Sequence, residues 1–168
     1  MTQLTPNNER GPDPCPVCGA DPDAAEAKLL ADVAKYGWHV MGVTEDDEGP
    51  AFAYSIGLYR TWQHPEIIIF GLGHDVMHQM INNIVHEIKN AHRFADGDES
   101  GEIIQGYDVT FRTVPVSNYK DYFGYALWFY NGFGFPALQC LWPDCYGRYP
   151  WDDEYPESMR WRQPAVHD

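Results

Sequence analysis

The stretch from Phe135 to Trp151, FPALQCLWPDCYGRYPW, constrains the fold more than any other part of the chain. It opens as an apolar run (Phe135, Ala137, Leu138, Leu141, Trp142) suited to a buried strand. It breaks at Pro143-Asp144, a turn-forming pair, and resumes through Gly147 to Pro150-Trp151. Cys140 and Cys145 sit on either side of that break. The remaining cysteines are Cys15 and Cys18, far upstream in a Cys-Pro-Val-Cys-Gly knuckle.

Zinc favours four soft or borderline ligands in a tetrahedron, and thiolate pairs two to four residues apart bite one ion well. Cys15 and Cys18 have the tight spacing, with Gly19 easing the turn, and Cys140 and Cys145 have the wide one. The expectation is one structural zinc held by Cys15, Cys18, Cys140 and Cys145. A closed four-thiolate site leaves no open position for substrate, so such a zinc is a staple and not a catalyst. A disulfide pair and four unrelated thiols are the alternatives. A redox dithiol at the knuckle lacks the strand-then-helix setting that chemistry uses.

At 168 residues the chain suits a single domain with a sizeable core, and 44% hydrophobic and 15% aromatic content agrees with that. The net charge of −14 repels phosphate backbones, and Lys and Arg are scattered, so no nucleic-acid partner is expected. The N-terminus lacks the pattern of a secretory signal, and no apolar run nears the roughly 18 residues a membrane helix needs. The expected location is therefore the cytoplasm, without a membrane partner. A reducing compartment favours metal ligation over disulfides.

Residues 1–13 are polar and aperiodic, a tail ahead of one domain spanning 14–151. Asp21-Pro22-Asp23 opens a helix, capped by Asp21 or by Asp23, with Leu29, Leu30, Val33 and Tyr36 as its apolar face and Gly37 as its stop. Strands follow at 38–44 and 52–58, separated by the acidic loop Glu45 to Pro50. The run Ile67-Ile68-Ile69-Phe70 predicts a strand buried on both faces. Val76, Met77, Met80, Ile81, Ile84, Val85 and Ile88 mark an amphipathic helix over 75–92. A polar loop (95–101), an alternating strand (107–114), an aromatic-rich helix (119–130) and the closing strand complete the order. Residues 152–168, acidic and then mixed, read as a loosely packed C-terminal tail. The fold class is α+β, with a mixed or antiparallel sheet, about three helices and an N-terminal zinc knuckle.

The blocks Phe52-Ala53-Tyr54-Ser55-Ile56-Gly57-Leu58, His64-Pro65-Glu66, Leu138 to Asp144 and Gly147-Arg148-Tyr149-Pro150-Trp151 carry a resemblance. Over about Tyr36 to Trp151 the chain resembles a bacterial family catalogued as a domain of unknown function, number four-two-six-two. The resemblance implies no activity. It implies an aliphatic and a charged residue where this chain has Cys140 and Cys145, so both thiols depart from the pattern together.

No nucleotide-binding glycine loop and no GxSxG elbow is present, so Ser55 has no motif support as a nucleophile. The aromatics from Tyr122 to Phe135 supply core or the wall of a ligand pocket. His74 and His78, four apart at the start of the long helix, read as boundary residues. Tyr54, Ser55, His64, Trp142 and Asp144 are the candidate ligand-binding residues, with a cleft expected beside Tyr54, His64 and the Trp142-Pro143-Asp144 turn. These observations favour a zinc-stapled binding module with an aromatic-lined cleft for a small molecule or peptide. The alternative is a small hydrolase or transferase using His64 with Glu66 or Asp144 as acid and base. The same residues serve equally well as partners of buried backbone groups. A flavin-binding split barrel is a weaker option, prompted by the strand-rich first half.

Elemental analysis of the purified protein is expected to return about one zinc per chain. A zinc-free folded protein with four rapidly reacting thiols would sink the zinc expectation.

Overall fold

The computed structural model describes residues 22–168. The knuckle cysteines Cys15 and Cys18 lie outside the described residues. One six-stranded mixed sheet organises the chain, in the order β1-β2-β3-β6-β5-β4. The strands are β1 (His39–Val43), β2 (Phe52–Ile56), β3 (Glu66–Phe70), β4 (Glu99–Ile104), β5 (Tyr107–Thr113) and β6 (Ala137–Leu141). Among the described residues only β3 and β6 pair in parallel, and the other pairings are antiparallel.

β3 and β6 are central, and all residues of both are buried. The alternation of side chains along a strand divides them between two cores. Ile67, Ile69, Leu138 and Cys140 join one cluster, and Ile68, Phe70 and Ala137 join the other. This is why an unbroken apolar run at 67–70 is a strand and not one face of a helix. The first cluster is closed by α3 (His74–Lys89), whose buried Met77, Met80, Ile81, Ile84, Val85 and Ile88 recur at helical spacing. The second is closed by Leu29 of α1 (Pro22–Tyr36), Tyr119 of α4 (Tyr119–Tyr122) and Ala126 of α5 (Gly124–Tyr130). The result is a three-layer α+β sandwich.

α1 begins with proline at its first position and ends at Gly37, whose N–H donates to Val33 O at 2.9 Å. Two short helices, α2 (Leu58–Trp62) and α6 (Glu157–Arg160), add to the three expected, and the aromatic helix is split at Phe123 into α4 and α5. β4 replaces part of the expected 95–101 loop. The segment after Trp151, expected to pack loosely, is folded onto the sheet, with Tyr155, Gln163 and Val166 buried. The Gln163 amide accepts from Trp142 N at 3.0 Å and donates to Trp142 O at 2.8 Å, as a neighbouring strand would. Gln139 Nε2 donates to Pro164 O at 2.8 Å.

Gly57 caps the start of α2 with φ of +108°, and a Cβ there would lie 2.7 Å from Gly37 O. Both the left-handed backbone and the contact with the α1–β1 turn exclude a side chain. Gly57→Ala is expected to lose about 2–4 kcal/mol in chemical denaturation. Gly97→Ala, at φ of +88° with open space around it, should lose only about 1 kcal/mol, so equal losses would contradict the close-approach argument.

Candidate functional site

At the β1 C-terminal end a cleft of about 500 Å³ opens between the acidic loop and the C-terminal segment. That volume is within the range of small-molecule sites. Its floor is aromatic. Phe52 and Phe70 sit side by side on β2 and β3, with ring centroids 5.1 Å apart. Tyr122 of α4 stands edge-on to both, at 5.7 and 5.3 Å. Trp161, 49% exposed, forms a wall that this cleft shares with a neighbouring depression of about 550 Å³.

The rim is acidic. Asp46 shapes its own loop, its Oδ1 accepting from the amides of Glu48 at 2.9 Å and Gly49 at 3.0 Å. Asp46, Glu48 and Asp121 line the cleft and none forms an ion pair among the described residues. Arg160 is the one cation of the lining among the described residues, and it is engaged by Glu157 Oε2 and Asp152 O, both at 2.9 Å. A flat apolar floor with unspent negative charge above it can hold an amphipathic cation.

The residues singled out from the sequence lie elsewhere and do not converge. His64 is fully buried at the head of β3, with Nδ1 donating to Pro65 O at 2.8 Å and Nε2 accepting from Phe94 N at 3.0 Å. Both ring nitrogens serve backbone groups, which fixes a neutral tautomer; burial lowers the pKa and outweighs the Pro65 bond. Trp142 and Asp144 follow the C-terminal end of β6, which runs parallel to β3, so they are at the opposite end of the sheet from His64. Trp142 Nε1 donates to Phe70 O at 2.8 Å. Asp144 accepts from the amides of Tyr146 and Arg148, each at 2.9 Å, and from Arg148 Nε at 2.7 Å. Burial works against its charge, but those donors prevail and hold its pKa below the ordinary value. The Tyr54 hydroxyl is buried beneath α5, where it accepts from Tyr125 N.

Glu66 and Ser55 do meet, away from His64. The buried Glu66 carboxylate accepts from Ser55 Oγ at 2.6 Å, Gly57 N at 2.8 Å, Tyr59 N at 3.3 Å and the Tyr130 hydroxyl. It caps α2 from outside that helix, because Gly57 offers no side chain to do so. Burial pushes its pKa up to about 7 despite the opposing donors. The same burial, with the nearby Glu66 charge, pushes the Tyr130 hydroxyl up.

Of the four expected zinc ligands, Cys140 and Cys145 fall within the described residues. Cys140 is fully buried in the α3-side cluster, where desolvation pushes its thiol pKa far up, and Cys145 is exposed beyond the turn. Among the described residues no group of three or more His, Cys, Asp or Glu is placed to hold a metal ion.

Tyr122 was visible only as one of many aromatics, and Trp161 and Arg160 lay in a segment with no periodicity to predict their packing. The acidic loop and the aromatic run that begins at Tyr122 are the sequence signals at the cleft.

An α+β domain with a mixed sheet and a half-open aromatic cleft is thus the class defined by fold and site. Its sequence matches the family described as Domain of unknown function (DUF4262) over residues 32–156, and the chain belongs to that family. No curated protein and no solved structure matches it.

Glu66 sets a pH dependence of stability. Its folded pKa of about 7 exceeds the ordinary 4.5, so between those values the folded chain holds a proton that the unfolded chain has lost. Its contribution is present below pH 4.5 and falls away as pH rises to about 7, by roughly 3 kcal/mol in all. His39, His64 and His167, with lowered pKa values, work in the opposite direction. They do so equally in Glu66→Gln, so the wild-type minus variant difference in urea stability isolates the carboxyl. That difference should drop across the window, and a flat difference would overturn the assignment.

Proposed function

We propose that this protein is a binding module whose cleft takes a small molecule, or a peptide side chain, with a flat apolar body and a cationic group. The observation that carries this reading is the three-ring floor of Phe52, Phe70 and Tyr122 beneath the unpaired carboxylates of Asp46, Glu48 and Asp121. The net charge of −14 supports it further, since the field of the whole chain draws cations in.

The zinc, if the four cysteines gather one, is a staple remote in chemistry from this cleft. Cys145 is exposed to receive it, whereas Cys140 would have to leave the apolar cluster it now occupies. No helix among the described residues is long and apolar enough to cross a membrane. The free thiols of Cys140 and Cys145 support residence in a reducing compartment, the cytoplasm. No polar contact favours the acid–base reading of His64 with Glu66 or Asp144, because the three groups hydrogen-bond to different partners.

Tryptamine is a suitable probe, with an aromatic body and one ammonium. Amide resonances of residues 43–52 and 121–122 should shift saturably on its addition, and high salt should weaken the effect. Trp161→Ala should weaken binding about tenfold while changing stability by less than about 1 kcal/mol, since the ring is half exposed. Glu48→Gln combined with Asp121→Asn should remove most of the salt dependence. Absent saturation, or equal affinity in Trp161→Ala, would end the proposal.

A further inference from the structure

The N-terminal end of β1 carries a second arrangement, remote along that strand from the aromatic cleft. His39 Nδ1 lies 2.7 Å from Asp32 Oδ2, joining the edge strand to α1. Lys28, one helical turn before Asp32, reaches the same oxygen at 3.1 Å. The His39 side chain is 11% exposed. With Asp32 accepting from Nδ1–H, the other nitrogen, Nε2, keeps its lone pair, and it makes no hydrogen bond among the described residues. The ring lines a cavity of about 390 Å³. Tyr36 and Trp38 supply its aromatic wall, and His78 and Asn82, one turn apart on α3, supply the other side. Asn82 Oδ1 is buried and has no hydrogen-bond partner among the described residues, an unsatisfied polar atom at the edge of the same cavity.

A carboxylate that fixes the tautomer and orientation of an imidazole, whose second nitrogen faces an aromatic-walled cavity, is the arrangement of an oriented general base. We propose that Asp32 and His39 form a general-base dyad that hydrolyses a small uncharged aryl ester seated against Trp38 and Tyr36. In this step a water oxygen bonds to the ester carbonyl carbon while His39 Nε2 takes the water proton. The carbon–oxygen bond to the aryloxide then breaks, and Nε2 returns the proton to the leaving oxygen. Carboxylic acid and phenol are the products, with no change in oxidation state and no further reactant. His39 touches the reacting atoms, and Asp32 is a positioning residue.

Among the described residues three groups face His39: Asp32 and Lys28 from α1, and His78 from α3. Burial lowers the His39 pKa, Asp32 opposes the change, and Lys28 and His78 add to it. The imidazole is therefore in its basic form at neutral pH. The rate should climb as pH rises through a pKa below the ordinary histidine value and then level off.

The competing account makes the Asp32–His39 bond a clamp between α1 and β1 and nothing more. The full chain acting on 4-nitrophenyl acetate separates the two. The dyad predicts saturable hydrolysis, a loss of about 100-fold in kcat/KM for His39→Gln and no comparable loss for His86→Gln, a control outside the cavity. Asp32→Asn should lower kcat with KM held and move the acid limb of the profile to lower pH, which a clamp alone would not do. Should His39→Gln fail to fold, unaltered protein with 4-nitroacetanilide, the neutral and slowly hydrolysed amide counterpart of the ester, gives the answer. A shift of the His39 imidazole ¹⁵N resonances supports the dyad. Unshifted resonances, non-saturable hydrolysis, or a His39→Gln rate equal to wild type overturns it.

Discussion

A carboxylate buried at the head of β3 is the constraint on which the surrounding structure depends. Removing a charge from water costs several kcal/mol unless donors replace the lost hydration. Glu66 meets that cost with donors drawn from four places: the end of β2, the Gly57 turn, the first turn of α2 and the end of α5. Its own N–H donates to Pro136 O at 2.9 Å, and it stands opposite Ala137 in the one parallel pairing. One residue therefore sets where α2 starts, where α5 docks and how the two central strands register. Burial outweighs these donors, and the pKa is pushed up to about 7.

With the centre fixed in this way, the sheet assigns different tasks to its two ends. Near Glu66 and His64, polar side chains are spent on backbone groups. At the other end, the C-terminal segment is stitched to β6 through Gln139 and Gln163, and this brings Trp161 and Arg160 across from the acidic loop. Gly71 makes that approach possible. It has φ of +82°, and a Cβ there would be 2.4 Å from Arg162 O. The cleft is thus a product of tail packing, and a chain whose tail did not fold back would lack one wall of it.

The elements legible in the sequence were those whose burial is written in their own periodicity. Helix α3 shows its apolar stripe, β3 its run of four β-formers, and α1 its Gly37 stop. What escaped prediction depends on partners. β4 is an edge strand, polar along most of its length, with Ile103 as its one fully buried side chain. α2 is five residues long and is capped by a carboxylate eight residues beyond its first position. Tyr155, Gln163 and Val166 are buried without any helical or alternating pattern, because the sheet supplies their surroundings. The site was legible to a lesser degree. The blocks that suggested His64, Trp142 and Asp144 do mark residues with demanding environments, but the demand comes from backbone donors and acceptors, which a sequence does not display. Three rings meeting at Phe52, Phe70 and Tyr122 is likewise a tertiary fact.

Charge gives the two proposed sites different tastes although they share a strand. The chain carries −14, so an anion approaching from any side meets repulsion and a cation meets attraction. At the cleft this field adds to unpaired carboxylates on the rim, and a cationic ligand gains on both counts. At the His39 cavity the nearest carboxylate is already bound by Lys28 and His39, so little local charge remains to attract an ion. The aromatic wall of Tyr36 and Trp38 is then the main source of affinity, which selects a flat neutral molecule. Hydrolysis there turns a neutral ester into a carboxylate, and the field that admitted the ester without preference repels the product.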